Sequence, residues 1–436
     1  MKTTSILMTI CIVLLEASSI GAQFEIIKIA SSPNPVGSGA RAIGMGGAFI
    51  ASADDATAAS WNPGGLIRLN RPEMSIVAYC LYRNENKRFI DNPVGNGSQA
   101  IFFEDLNYLS ATYPLKLMDR NIILSLNYQH LYDFNKEYQF PLDMTNGKVR
   151  LKANEKYNQK GGLSTIGMAC CIQIIPDFAA GVTLNFWHDD LTRNHWEESY
   201  HANGDILIRD GAVKFAYEQF EKNTYSFKGV NYNIGLLWRN IIYDTLSVGL
   251  VYKSPFRATL FHKLQSLIVN GNISTPFTLT GEGKLEMPMS FGLGVLYKFS
   301  DQFKVSTDFF RTEWDDLILQ KNDGRSVSLV TGIPVEQSDV KAGYQVRMGT
   351  EFLIQENFAN FVVPVRAGLF YESLPTNEGL NDCYGISFGF GYVTKKYAVD
   401  IAWQFRVGKD ISLNSESDYS QDIYENVFYS SLIKYF

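Results

Sequence analysis

The chain has 436 residues, of which 46% are hydrophobic, 14% aromatic and 19% charged, a composition that supplies a folded core and excludes a disordered chain. Its 39 basic and 45 acidic residues leave a net charge of -6 with no Lys/Arg cluster of the kind that grips phosphates, so nucleic acid is not an expected partner. The one long apolar run, Ile6 to Leu15, lies at the N-terminus, which excludes a bundle of membrane-spanning helices and leaves a membrane barrel open.

Residues 1–22 read as an export signal: Lys2 gives the positive start, Ile6 to Leu15 the apolar region, and Ala17 to Ala22 a small-residue stretch with cleavage after Ala22. The run is too short, before Glu16, to span about 30 Å of hydrocarbon as a helix. Residues 23–72 are rich in Gly, Ala, Ser and Asp and lack any period-two pattern, so they are expected to form something other than sheet.

From Glu73 onward apolar residues alternate with polar or small ones. Tyr384, Ile386, Phe388, Phe390 and Tyr392 share one face, and Gly385, Ser387, Gly389 and Gly391 the other. Met289, Phe291, Leu293, Val295 and Tyr297 repeat the division, as do Val399, Ile401 and Trp403 against Asp400, Gln404 and Arg406. Segments beginning near Glu73, Leu106, Asn121, Gly161, Phe178, Tyr225, Leu246, Glu286, Phe303, Val340, Phe361, Tyr384, Tyr397 and Tyr424 make about fourteen strands, the even number of a bacterial outer-membrane barrel. Ten residues at a tilt near 45° rise roughly 23 Å, which matches an apolar band of about 25 Å. The fold expected is therefore all-β: a transmembrane antiparallel β-barrel over residues 73–436.

Short connections at Pro176 and Asp177, Ser300 to Gln302 and Thr394 to Lys396 interleave with long ones at Asn84 to Phe103, Phe134 to Lys160, Leu191 to Thr224 and Leu317 to Asp339. This is the asymmetry of short periplasmic turns and long outer loops. Tyr113, Trp238, Tyr252, Tyr297, Tyr371, Tyr392 and Trp403 fall near strand ends on the apolar side, as headgroup-level rings do. The chain ends on Phe436. Cys80, Cys170, Cys171 and Cys383 have no metal-ligand spacing, and the neighbours Cys170 and Cys171 point to opposite faces of a strand. Gly385-Ile386-Ser387-Phe388-Gly389 matches a nucleophile-elbow pattern, yet it sits inside an unbroken strand and not at a strand-turn-helix, so no enzyme is expected. His188, Asp189, Asp190, His195, Glu197, Glu198 and His201 match no metal-ligand spacing and read as a solvated outer loop. Neither metal nor cofactor is expected.

Within residues 37–66 the chain runs Gly39-Ala40-Arg41, a Gly-rich stretch to Gly47, Asp54-Asp55, and Asn62-Pro63-Gly64. This segment resembles the N-terminal hatch of the FadL-type outer-membrane transporters of long-chain fatty acids and other hydrophobic molecules, whose hatch carries an Asn-Pro-Ala signature; Gly64 stands in place of the Ala. The resemblance implies a fourteen-stranded barrel with residues 23–72 folded inside as a plug, in the outer membrane of a Gram-negative bacterium. It implies a monomer whose partners are a fatty acid-like ligand and outer-membrane lipid. A PorV-like branch, which shares the Gly-Ala-Arg and Asp-Asp features and handles secreted proteins, is the alternative.

Candidate site residues follow. Asp54, Asp55, Asn62, Pro63 and Gly64 make up the hatch or gate, with the two aspartates read either as a turn or as partners of Arg347 or Arg366. Polar groups on both faces at Gln129 and His130 predict a kink in the third strand, and a lateral exit at Asn127, Gln129 and His130 is expected, since the resembled family opens its wall there. Lys341, Arg347 and Arg366 are candidates for a carboxylate head group.

Overall fold

A computed structural model describes residues 37–436 apart from 91, 209–212, 271–272, 322–323, 356–359, 377–378 and 412–418. The expected signal peptide lies outside the described residues. The strands in chain order begin with β1 (Glu73–Phe89), β2 (Gly97–Leu117), β3 (Arg120–Asp133), β4 (Lys136–Asn146) and β5 (Val149–Ile175). There follow β6 (Phe178–Trp187), β7 (His195–Ile208), β8 (Val213–Trp238), β9 (Leu246–Lys253) and β10 (Phe256–Asn270). Next come β11 (Ile273–Met287), β12 (Ser290–Lys298), β13 (Phe303–Thr312), β14 (Ile318–Lys321) and β15 (Ser326–Ser328). The last are β16 (Gly343–Ile354), β17 (Phe361–Thr376), β18 (Gly379–Thr394), β19 (Tyr397–Ile411) and β20 (Tyr419–Tyr435).

Fourteen of these form a closed antiparallel barrel. The wall runs β1-β2-β3-β5-β6-β8-β9-β12-β13-β16-β17-β18-β19-β20, and β20 returns to β1 in a register from Phe89 opposite Tyr419 to Glu73 opposite Tyr435. Closure pairs the first strand with the last, as a sheet in lipid requires. The alternation explains the two faces. Leu126, Met168, Ile234, Leu250, Met348, Phe388 and Ile401 stand exposed on the outside, while Asn127, Asp308, Arg347, Ser387 and Asp400 are buried within. Cys170 is exposed and Cys171 buried, as neighbours on a strand must be.

The segments expected as outer loops are sheet instead. Residues 134–160 hold β4 and the outer part of β5, and residues 191–224 hold β7 and the outer part of β8. With β10, β11, β14 and β15 they form a second sheet that continues the wall outward. The reason is visible in β5, where Val149, Leu151, Ala153 and Tyr157 are buried and the charged residues Arg150, Lys152 and Lys156 between them are exposed. Both periods of a strand are present, with Lys and Arg serving a solvated face. Where this sheet meets the barrel, Phe134, Trp187, Trp196, Phe227, Met287 and Trp314 belong to one apolar cluster over the outer mouth.

Residues 37–72 precede the wall and pack against its inner faces. They form a short helix at Ala40–Gly44, a second at Ala58–Trp61 and a 3-10 turn at Pro63–Arg68. Met45, Phe49, Ile50, Trp61 and Leu66 join Ile123, Cys171, Leu237, Val251 and Phe310 of the wall in one buried cluster, which fills the lumen at that level.

Candidate functional site

The N-terminal segment is held by wall side chains that bond to its backbone. Asp308 on β13 accepts from the backbone N–H groups of Phe49 and Ile50 at 2.6 and 2.7 Å. Ser387 on β18 accepts from Gly46 N–H at 2.8 Å and donates to Gly44 O at 3.2 Å, so the serine of the nucleophile-like pattern is an anchor. Arg347 on β16 donates to Gly46 O at 2.8 Å. From the segment itself, Asn62 donates to Ile50 O and to Leu236 O of β8, both at 3.0 Å, and its Oδ1 accepts from Gly64 N–H. Pro63 opens the 3-10 turn that this cap begins. The replacement of Ala by Gly at 64 has a steric cause: a Cβ there would lie 2.9 Å from the carbonyl oxygen of Gly235 on β8. Gly349 on β16 likewise leaves room for the Met45 carbonyl to press against the wall.

Asp54 and Asp55 do not meet Arg347 or Arg366. Asp54 pairs with Arg41 of its own segment at 2.6 Å and lies 3.9 Å from Lys304 on β13. Asp55 accepts from the backbone N–H and hydroxyl of Thr57 at 2.8 and 2.6 Å, the turn expected for it. Arg41 also bonds Glu351 on β16 at 3.1 Å, and Glu351 in turn meets Lys304 at 2.8 Å and Arg366 on β17 at 2.6 Å. These charges line a vestibule of about 360 Å³ at the end of the barrel with short turns. Burial pushes the Asp54 carboxyl up, but Arg41, then Lys304 and Arg68, hold it below the ordinary carboxylate value. Burial wins at Asp55, whose carboxyl is raised.

The three head-group candidates are all engaged elsewhere. Lys341 lies before β16 on the exposed outer surface, 3.6 Å from Asp339, because the strand starts only at Gly343. Arg347 is bonded to the N-terminal segment and to Gln345 at 2.9 Å, with its guanidinium 4.7 Å above the ring of Phe370. Arg366 is clamped between Glu351 and Asp400, each at 2.6 Å. Their charge was readable in the sequence and their partners were not.

Above the N-terminal segment lies a cavity of about 60 Å³ with two kinds of wall: the rings of Trp187, Phe256, Phe310 and Trp314, and the amides of Asn185, Asn231, Asn233 and Gln345. Trp187 donates to Asn231 at 2.9 Å and stacks on Phe256 with centroids 5.7 Å apart. The space holds a few waters, so a ring-sized molecule displaces side chains on entry. Sequence reasoning passed over these residues. The signal was Val230-Asn231-Tyr232-Asn233-Ile234, where amides occupy the face turned from lipid.

Beside this cavity the wall is interrupted. Pairing of β2 with β3 runs from Leu117 opposite Arg120 to Tyr108 opposite Gln129 and ends there. Beyond it, β3 pairs only with β5, across a register shift that leaves Leu131 without an opposite residue. Immediately beyond its last pair with β3, β2 carries its own bulge at Asn107, against Val77 and Ala78 of β1. Of the exit candidates, Asn127 lies in the paired part, Gln129 is the last pair and His130 stands beyond it. Gln129 and Leu131 line the aromatic cavity on one side and a second cavity of about 80 Å³ on the other, which reaches Phe103 and Asn107 of β2. His130 contacts Ser164 at 2.9 Å, and Gln129 reaches Ser38 of the N-terminal segment at 3.3 Å.

Comparison with known proteins agrees with this geometry. No curated protein sequence matches. The CymD monoaromatic hydrocarbon channel is similar in structure, with 18% identity over 92% of this chain and 98% of that one and a TM-score of 0.57. A FadL homologue of Pseudomonas aeruginosa is similar at 13% identity, 92% and 98% coverage and a TM-score of 0.60. The toluene transporter TodX of Pseudomonas putida gives 14%, 92%, 98% and 0.55. At these identities the neighbours establish the fold. Neither they nor the family match support the alternative of a shuttle for secreted proteins. The family described as outer membrane protein transport protein (OMPP1/FadL/TodX) matches residues 152–431, well over half of the chain, and the chain belongs to that family of outer-membrane transport proteins and not to an enzyme family.

Proposed function

We propose that the chain carries fatty acid-like hydrophobic molecules inward through the outer membrane, with residues 1–22 as a cleaved export signal, residues 23–72 as the hatch and residues 73–436 as the barrel. Cargo is collected at the aromatic cluster under the outer sheet, enters the lumen above the hatch, and leaves sideways between β2 and β3. The monomer suffices, and outer-membrane lipid or the space at the barrel wall receives the cargo. The observation that carries this reading is the end of β2–β3 pairing at Gln129, beside a lumen filled below by residues 37–72. A plug bonded through its backbone to Asp308, Ser387 and Arg347 favours a sideways path over one straight through. Two solved neighbours are named for transport of toluene or monoaromatic hydrocarbons, which fits an apolar cargo here.

Deleting Leu131 tests the exit. It removes the extra residue of the bulge and lets β3 run in regular register toward β2. Uptake of labelled long-chain fatty acid by cells should fall several-fold while the barrel keeps its heat-modifiable migration on gels. Full uptake through a folded deletion variant refutes sideways release at this place.

A further inference from the structure

We infer that Asn233 and Gln345 present N–H donors to the cargo, so that the molecule carried is an apolar body with an uncharged, hydrogen-bond-accepting oxygen, such as the carbonyl of a ketone or ester. The inference rests on the transport reading above and names the cargo chemistry of the same lumen. Asn233 on β8 and Gln345 on β16 both line the aromatic cavity and are buried, with 7% and 3% exposure. The inner face is fixed independently on both strands: Gly235 lies against Asn62 and Pro63 of the N-terminal segment, and Arg347 donates to Gly46 O of that segment. Each of these contacts is two residues along from an amide, so Asn233 and Gln345 continue the same face to the level above the plug.

The partners of the amides fix which way each one points. An indole N–H only donates, so the end of Asn231 that Trp187 meets at 2.9 Å is Oδ1. The Nδ2 of Asn231 then donates to Asn233 Oδ1 at 3.4 Å, which leaves the amide hydrogens of Asn233 for the cavity. A guanidinium likewise only donates: Arg347 Nε meets Gln345 Oε1 at 2.9 Å and leaves the amide hydrogens of Gln345. Two chains that begin on obligatory donors thus end on donors, and a set of neutral amides is polarised in one sense. Lys253 also lines the cavity; it is engaged within the protein and brings no acceptor. Among the described residues lining the cavity there is no carboxylate. A carbonyl oxygen entering here meets N–H donors, while Trp187 and Phe256 receive the apolar body. A hydrocarbon of the same shape leaves those N–H groups enclosed without an acceptor, and a site built to bond an oxygen rejects the analogue that lacks it.

The test is equilibrium dialysis of the purified protein in detergent with acetophenone and with α-methylstyrene, in which a CH2 group replaces the carbonyl oxygen, each referred to its uptake by protein-free micelles. On that scale the ketone is expected to be held about fivefold more tightly than the hydrocarbon, the factor that one net hydrogen bond supplies. Asn233→Leu should bring the two together. Asn233→Asp, which keeps the Oδ1 that accepts from Asn231 and puts an acceptor in place of the donor, should do the same. Equal retention of ketone and hydrocarbon by the unaltered protein overturns the assignment without recourse to any variant and leaves the transport reading standing, as does an undiminished preference for the ketone in the folded variants. Retention of neither compound by the unaltered protein overturns the transport reading and the assignment with it.

Discussion

Asn62 shows how much one side chain can hold. It is fully buried, donates to two carbonyls on different elements and accepts from Gly64. Asn62→Ala leaves those groups enclosed without partners, which costs on the order of 1–3 kcal/mol. Denaturant unfolding in detergent should show the midpoint falling accordingly, and an unchanged midpoint would mean that water reaches the Asn62 site and satisfies them. Asn62 and Pro63 were legible as a motif because a cap and a fixed torsion are local properties of a few consecutive residues. Arg347 and Arg366 were legible only as charges. Whether a buried guanidinium is available depends on what faces it across the lumen, and here a backbone carbonyl and two carboxylates do.

At the scale of elements, the strands follow from alternation and the plug from its absence. The long connections expected as outer loops are strands, since Arg150, Lys152 and Lys156 keep strict period two with buried neighbours. The plug is tied to the wall at its charged end through Arg41, Asp54, Lys304 and Glu351. Asp54 has its carboxyl held below the unfolded value of about 3.9, so its contribution is present above that pH and is lost as pH falls through the depressed value. Asp55 is raised and works in the opposite sense: the stability it favours is complete below about 3.9 and is lost as pH rises through its folded value. Limited proteolysis of the N-terminal segment, compared between the unaltered protein and Asp54→Asn, isolates the Asp54 contribution, which should disappear on acidification below about pH 4. Asp54→Asn should cleave more at neutral pH and respond less to acid. Equal cleavage of Asp54→Asn and the unaltered protein at neutral pH would refute the role of Asp54 in holding the segment.

The whole molecule places one apolar band against lipid and a second sheet beyond it. Leu250 is 47% exposed in the middle of β9, and Phe277 is 46% exposed in the outer part of β11, so solvent accessibility alone cannot tell them apart. Their surroundings can. Leu250→Arg should cost about 2–4 kcal/mol in refolding into vesicles, as a charge at the bilayer midplane does, whereas Phe277→Arg on the outer hairpin should stay within about 0.5 kcal/mol. Equal costs would move the membrane boundary on this chain.

The amino-acid sequence by itself determined the class of fold, the count of strands in the barrel wall and the separate character of residues 37–72. Alternation is written residue by residue, and a closed barrel is the sheet that lipid permits. Tertiary structure alone decided that β2 and β3 part at Gln129, that the outer segments stack into a second sheet, and that Arg347 and Arg366 are matched across the lumen. Each of these depends on partners far apart in the chain. Period two specifies which way a side chain points and carries no information on what stands opposite.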